Sequence, residues 1–118
     1  MAPLDFETTL SDGRAIVALS GELDLSGAGR LDTEVERLAR LEGPDTVVLD
    51  LRGLEFLDSS GLRVVTLADR RLAGAGRRLL LVRGPETVHR VFEITRLTDR
   101  LNFVDSPDAL AGEEAEPG

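Results

Sequence analysis

The chain contains no cysteine, tryptophan, tyrosine or lysine. Without cysteine it can form no disulfide framework, thiolate metal site or cysteine nucleophile. Aromatic residues make up only 3% of the chain, so the core has to be aliphatic. Aromatic platforms for stacking the bases of single-stranded nucleic acid are lacking as well. The apolar runs are far shorter than the roughly 20 residues that span a bilayer.

Positive charge is also scarce, since 22 acidic residues outnumber 14 basic ones and give a net charge of −8. Proteins that bind duplex nucleic acid or anionic membranes gain affinity from basic residues, so neither is an expected partner. The first residues lack a basic region followed by an apolar run, which excludes a typical signal peptide. With 118 residues, 42% of them hydrophobic, we expect one soluble, cytoplasmic domain.

Hydrophobic periodicity predicts the elements of this domain. An N-terminal hairpin is expected from strands at residues 4–10 and 15–19, after which residues 20–24 leave the sheet. Residues 52–58 are predicted to be a connection between a buried strand and a helix. The remaining predicted strands are 46–51, 78–82 and 103–104, and the predicted helices are 26–41, 60–73, one opened by Pro85 and Glu86, and a short one at 97–101.

This order predicts an α/β fold with a single mixed β-sheet of four to five strands. The sheet starts with the hairpin, and three to four helices lie mainly on one side of it. Residues 1–110 are predicted to form the domain. Residues 111–118 are predicted to be an acidic, disordered tail.

Residues 54–62, Leu-Glu-Phe-Leu-Asp-Ser-Ser-Gly-Leu, lie where a buried strand is expected to turn into the second helix. Asp58 is suited to cap that helix through its carboxylate, and Gly61 allows another chain segment to approach closely. Capping alone explains such a sequence. However, Ser59 and Ser60 would also present hydroxyl groups at the positive end of the helix dipole, where phosphorylation adds a charge of about −1.5 to −2.

These residues resemble the phosphorylation-site motif of the STAS-domain anti-sigma factor antagonists. Gly21-Glu22-Leu23-Asp24 looks like the motif that follows the second strand in that family, and the helix around residues 88–92 resembles the family's third helix. The resemblance covers roughly residues 4–110. One departure is Arg96, which stands where the family often has glycine before a leucine.

The resemblance implies a regulatory function without enzymatic activity or cofactor. Members of the family bind an anti-sigma factor serine kinase when unphosphorylated, are released when the kinase phosphorylates them, and are reset by a PP2C-type phosphatase. By position, the phosphorylated residue is Ser59. The partner-binding residues that the resemblance implies are Glu22, Leu23, Asp24, Asp58, Ser59, Ser60, Gly61 and Leu62. Arg63, a variable position in the family, is added as a residue for tuning kinase recognition, although a solvated helix residue is the simpler explanation for it.

Two other hypotheses remain open on the sequence. The first is a STAS scaffold or transporter-associated subunit in which the serine only caps a helix. The second is a small hydrolase or phosphotransfer enzyme that uses Asp58, although the chain has no lysine to assist such chemistry. No metal site is expected from the single histidine, His89, because such sites need three or four ligands. A cluster of Asp24, Asp50 and Asp58 is more simply explained by capping.

Overall fold

A computed structural model describes residues 2–105 and contains five strands in one mixed sheet, in the order β1-β2-β3-β4-β5. The strands are β1 (Asp5–Ser11), β2 (Arg14–Leu23), β3 (Thr46–Leu57), β4 (Arg78–Val82) and β5 (Phe103–Val104). The helices are α1 (Leu25–Arg40), α2 (Ser59–Gly74) and α3 (Glu86–Ile94), and a 3₁₀ turn spans Leu97–Asp99. The predicted mixed α/β sheet is confirmed, whereas the predicted tail at residues 111–118 lies outside the described residues.

All three helices pack on one face of the sheet. Strands β2 to β5 are parallel neighbours, and each crossover connection between them is right-handed in nearly all proteins. Crossovers that advance one strand at a time in the same direction therefore bring every helix to the same face. The apolar core between helices and sheet includes Val17, Leu49 and Leu81 from the strands, and Leu31, Val35, Leu38, Val65, Ala68, Leu72, Val88 and Phe92 from the helices.

Strands β2 and β3 are longer than the sequence pattern predicted. Their parallel pairing continues to Leu23 and Leu57, with register shifts that follow Ala18 and Gly21. The predictions that residues 20–24 leave the sheet and that residues 52–58 form a connection were therefore wrong. The register shifts interrupt the alternation of apolar and polar residues, so the pattern signalled the end of a strand where the strand only bulges.

A glycine in the extended part of β3 marks a close approach of two backbones. A Cβ atom at Gly53 would lie 2.6 Å from the carbonyl oxygen of Leu19. Glycine in a strand pattern often has this meaning. The extension of both strands carries the starts of α1 and α2 to the same edge of the sheet.

Arg96, at the departure from the family pattern, adopts a left-handed backbone conformation with φ of 61°. It precedes the 3₁₀ turn and is exposed. The left-handed region costs a non-glycine residue roughly 1–2 kcal/mol. Here an arginine occupies a position whose geometry favours glycine.

We therefore expect Arg96→Gly to leave stability unchanged or to raise it by up to about 1 kcal/mol, because relief of backbone strain outweighs or offsets the entropy that glycine loses on folding. The control is Arg90→Gly within α3, which should lower stability by about 1 kcal/mol. Urea denaturation measures both free energies of unfolding. If Arg96→Gly lost as much stability as the control, the backbone at Arg96 would not be strained.

Candidate functional site

The carboxyl ends of β2 and β3 lie side by side and start two helices at the same edge. Leu23 pairs with Leu57 at the last position of the two strands. The next residues, Asp24 and Asp58, are the N-caps of α1 and α2. The backbone N–H of Asp58 donates a hydrogen bond to the carbonyl oxygen of Leu23 at 3.3 Å. The amino ends of both helices, with their positive dipole ends, therefore open on one surface.

Both capping aspartates are engaged in hydrogen bonds with their own helices. The Asp58 carboxylate accepts from the backbone N–H of Gly61 at 3.1 Å, which confirms the predicted cap. The Asp24 carboxylate accepts from the backbone N–H of Ser26 at 3.0 Å and from its hydroxyl at 2.7 Å. The hydroxyl of Ser26 holds the pKa of Asp24 below its ordinary value, although partial burial acts in the opposite direction.

Ser59 is the first residue of α2 and is exposed, whereas Ser60 beside it is half-buried. Within residues 2–105 the hydroxyl of Ser59 makes no hydrogen bond, since the helix is capped by Asp58 instead. The residue is therefore accessible to another protein, and its hydroxyl is not committed to the structure. An alcohol at the amino end of a helix suits the attachment of an anion.

Three of the residues predicted to bind a partner have little exposed surface. Leu23 is fully buried, and Glu22 and Gly61 are buried as well. Leu23 belongs to the apolar core because the sheet extends to this residue, beyond the point where the sequence pattern ended it. The predicted residues Asp24, Asp58 and Leu62 are half-buried, and Arg63 is exposed.

Gly61 holds the start of α2 against the end of β2. A Cβ atom at this position would lie 2.5 Å from Cδ1 of Leu57 and 2.6 Å from the carbonyl oxygen of Leu23. Real Cβ atoms do not come this close to a backbone oxygen. The chain segment that approaches Gly61 is therefore the neighbouring strand of this same domain.

Two exposed apolar residues near Ser59 escaped the sequence analysis. Leu25, the first residue of α1, is 78% exposed, and Phe56, near the end of β3, is 46% exposed. Leu25 lies three residues before Ala28 and therefore falls in phase with the inner stripe of its helix. Only the structure shows that no other element covers the helix start.

A shallow groove of about 270 Å³ runs between α1 and α2 beside Leu25, and we call it the α1–α2 groove. One wall comes from α1 and the other from α2, with two charged residues and one hydroxyl among small and apolar side chains. Its lining residues are Leu25, Ala28, Gly29, Asp32, Ser60, Arg63, Val64 and Leu67. The surface around Ser59 is thus partly apolar, which suits contact with another protein.

Three further observations bear on other functions. His89 is only 6% exposed and packs edge-on against Phe103, and burial, followed by the charge of Arg83, lowers the pKa of its imidazole. In residues 2–105, no three His, Asp or Glu side chains are grouped in a way that could hold a metal ion. None of the helices in that range is both long and apolar enough to cross a membrane.

Comparison with known proteins agrees with this geometry. The sequence profile described as "Mlab, STAS domain" matches residues 6–105. The chain belongs to the STAS domain family. It is 30% identical to the anti-sigma-F factor antagonist RsfB of Mycobacterium tuberculosis, over 94% of this chain and 92% of that protein.

Two solved structures share the STAS fold of this chain. The anti-sigma factor antagonist SpoIIAA in its unphosphorylated form has a TM-score of 0.80 and 21% identity, and the match covers 97% of this chain and all 100% of that one. The Bacillus protein SpoIIAA in its phosphorylated form has a TM-score of 0.70 and 21% identity, with 91% and 97% covered. At this level of identity the likeness concerns the fold.

The close approach at Gly61 leads to a prediction about stability. We expect Gly61→Ala to lower the free energy of unfolding by about 1–3 kcal/mol, because the added methyl group forces backbone or core to move. Gly29→Ala is the matched control, since a Cβ at Gly29 meets nothing within 4 Å in α1. That change should raise stability by about 0.4–1 kcal/mol. Chemical denaturation measures the free energy of unfolding of both variants. Equal effects of the two substitutions would show that the site of Gly61 has room for a methyl group.

Proposed function

We propose that this STAS domain is a cytoplasmic anti-sigma factor antagonist whose switch is Ser59. When Ser59 is unphosphorylated, the domain binds an anti-sigma factor that is also a serine kinase and so frees the sigma factor. When Ser59 is phosphorylated, the domain is released. A PP2C-type phosphatase removes the phosphate and restores binding. The observation that carries the proposal is the exposed, uncommitted hydroxyl of Ser59 beside an apolar surface.

The relatives support the proposal by what their names say of them. RsfB is an anti-sigma-F factor antagonist, and it aligns with this chain over nearly its whole length. SpoIIAA is an anti-sigma factor antagonist for which an unphosphorylated and a phosphorylated form have both been solved. One protein of this fold therefore occurs with and without phosphate, which supports a phosphate on the exposed Ser59 of this chain.

The modification itself is a phosphoryl transfer from the ATP of the kinase. The Oγ atom of Ser59 attacks the γ-phosphorus, a new oxygen–phosphorus bond forms, and the bond to the leaving ADP breaks. The hydroxyl proton leaves with a base of the kinase. Residues of the antagonist contribute position only: Asp58 fixes the start of α2, and Ser59 stands at its first turn where the kinase can reach it.

The phosphate acts on the partner and leaves the fold in place. Ser59 makes no hydrogen bond within residues 2–105, so no native interaction is lost when its oxygen is esterified. The helix dipole favours an anion at this end by about 0.3–1 kcal/mol. At an interface, in contrast, a dianion facing like charge or apolar surface costs several kcal/mol. Partner affinity therefore changes far more than stability.

The apolar residues near Ser59 supply the attraction that the phosphate overcomes. Leu25 and Phe56 are large and exposed, and the α1–α2 groove continues the apolar surface. Burying a leucine side chain contributes about 1.5–3 kcal/mol. We infer that the kinase covers Leu25 and Phe56 while it is bound, which also brings its active site to Ser59.

The scaffold hypothesis holds that Ser59 only caps α2, whereas the cap is made by another residue. Asp58 is the N-cap of α2 and accepts from Gly61, while Ser59 is the first helical residue. A serine that neither caps nor packs is not explained by structure alone. The hydrolase hypothesis would use the Asp58 carboxylate, one oxygen of which already accepts the capping hydrogen bond from Gly61.

The first test of this function is phosphorylation of the purified domain with ATP and the serine-kinase anti-sigma factor of the same organism. We expect a single phosphate by intact mass, mapped to Ser59 by fragmentation. Ser59→Ala should abolish it, because the attacking oxygen is removed, while Ser60→Ala, the neighbouring hydroxyl, should keep it. A phosphate that maps to Ser60 or elsewhere would refute the assignment. So would Ser59→Asp binding the kinase as tightly as the parent, instead of at least tenfold more weakly.

A second test concerns the apolar surface. We expect Leu25→Ala to weaken binding of the unphosphorylated domain to the kinase by about tenfold, since about 1.4 kcal/mol of buried apolar contact is lost. The matched control is Ile94→Ala on α3, because Ile94 is similarly exposed, at 74%. That change should alter affinity less than twofold. Titration calorimetry measures both, and an equal loss in the two variants would place the interface elsewhere.

A further inference from the structure

Arg63 lies one turn after Ser59 on α2 and is exposed. Residues four apart on a helix are neighbours, with about 5–6 Å between their Cβ atoms. Helical side chains also tilt toward the amino end, so each covers the turn before its own Cα atom. Ser60 and Arg63 line the same groove. Arg63 therefore follows the two serines by one turn, is a helical neighbour of Ser59 and borders the groove that Ser60 lines.

Arg63 has no ionic partner in the part of the chain that the structure describes. Asp32 lines the same groove, but its two carboxylate oxygens accept from Arg71 at 2.9 and 3.1 Å. The neighbours of Arg63 one turn further along, Thr66 and Leu67, carry no charge. Arg63 is thus a cation one helical turn from Ser59 that makes no ion pair within residues 2–105.

Two other helical arginines of this domain, Arg37 and Arg90, do have an ionic partner. Arg37 pairs with Glu34 at 2.8 Å, and Arg90 pairs with Glu86 at 3.6 Å, in each case one turn back along the helix. One turn back from Arg63 the sequence has serines instead of a glutamate. Phosphorylation of Ser59 would place an anion at the position where these other arginines have their carboxylate.

We propose that Arg63 is the counter-ion of phosphorylated Ser59, an inference that rests on the function proposed above. Phosphate accepts charge-assisted, bidentate hydrogen bonds from guanidinium. In the unphosphorylated domain Arg63 pairs instead with an acidic side chain of the kinase. Phosphorylation then acts twice on the interface: it adds a dianion, and it withdraws the cation that the partner had engaged.

A titration of the phosphate tests the ion pair without any kinase. Phosphoserine is incorporated at position 59 during translation, and ³¹P NMR follows the second ionisation of the phosphate, whose ordinary pKa is about 6. We expect the midpoint to be about half a pH unit lower in the otherwise unchanged protein than in Arg63→Gln, because the cation favours the dianion. Arg63→Lys, which keeps the charge, should restore most of the difference.

The matched control for the titration is Arg70→Gln, which removes an exposed arginine two turns further along α2 and should leave the midpoint unchanged. Equal midpoints in the protein with Arg63 and in Arg63→Gln would overturn the ion pair. The result is independent of the kinase. If the kinase fails to phosphorylate Ser59, the proposed function fails, while the titration still decides whether Arg63 binds a phosphate there.

Binding of the unphosphorylated domain to the kinase tests the second half of the proposal. We expect Arg63→Gln to weaken binding about threefold to tenfold and to reduce its dependence on salt, since an ion pair is lost. Arg70→Gln should bind like the parent. Unchanged affinity and salt dependence in Arg63→Gln would show that the kinase does not engage this arginine.

Discussion

The pairing of the last residues of β2 and β3 is the constraint on which the candidate site depends. Leu23 and Leu57 are paired and buried, and the hydrogen bond from Asp58 to the carbonyl of Leu23 joins the chain segments that follow. Gly61 allows α2 to start in direct contact with this pair. Because both strand ends are fixed, both helix starts are fixed, and Ser59 is held at the surface by a rigid base.

Because these contacts lie below Ser59 and do not include its hydroxyl, a charge at Ser59 can change the surface without changing the stability of the domain. The residues that hold the helix start, Leu23, Leu57 and Gly61, are buried below it. The cap is made by the carboxylate of Asp58. None of these interactions passes through the hydroxyl of Ser59, so its modification changes the surface and leaves the supporting contacts in place. A regulated binding protein needs this separation, since its modified form has to persist until a phosphatase acts.

The sequence predicted the architecture well because its helices are strongly amphipathic and its strands are separated by clear turns. Residues 78–82 were predicted as β4 with the correct bounds, and Asp58 was predicted as the cap of α2. The ends of β2 and β3 were missed because register shifts break the two-residue alternation on which strand prediction depends.

Burial is what the family motif did not report for two of the predicted partner-binding residues. Glu22 and Leu23 were assigned by their position in that motif, and both are buried in the structure. The exposure of Leu25 was missed because it depends on which other element covers the start of α1, and a helical pattern carries no such information. Ser59 and Arg63 were also selected by position in the motif, and both are exposed, while their roles stay predictions.

We propose that a phosphate on Ser59 weakens partner binding while the fold persists. The most direct measurement compares the domain with and without phosphoserine at position 59 by amide NMR spectra and by its free energy of unfolding. We predict shift changes confined to the start of α2 and the adjoining end of β2, with stability altered by no more than about 1 kcal/mol. Shift changes spread over the sheet, or a loss of several kcal/mol, would contradict the account, because release would then follow from unfolding.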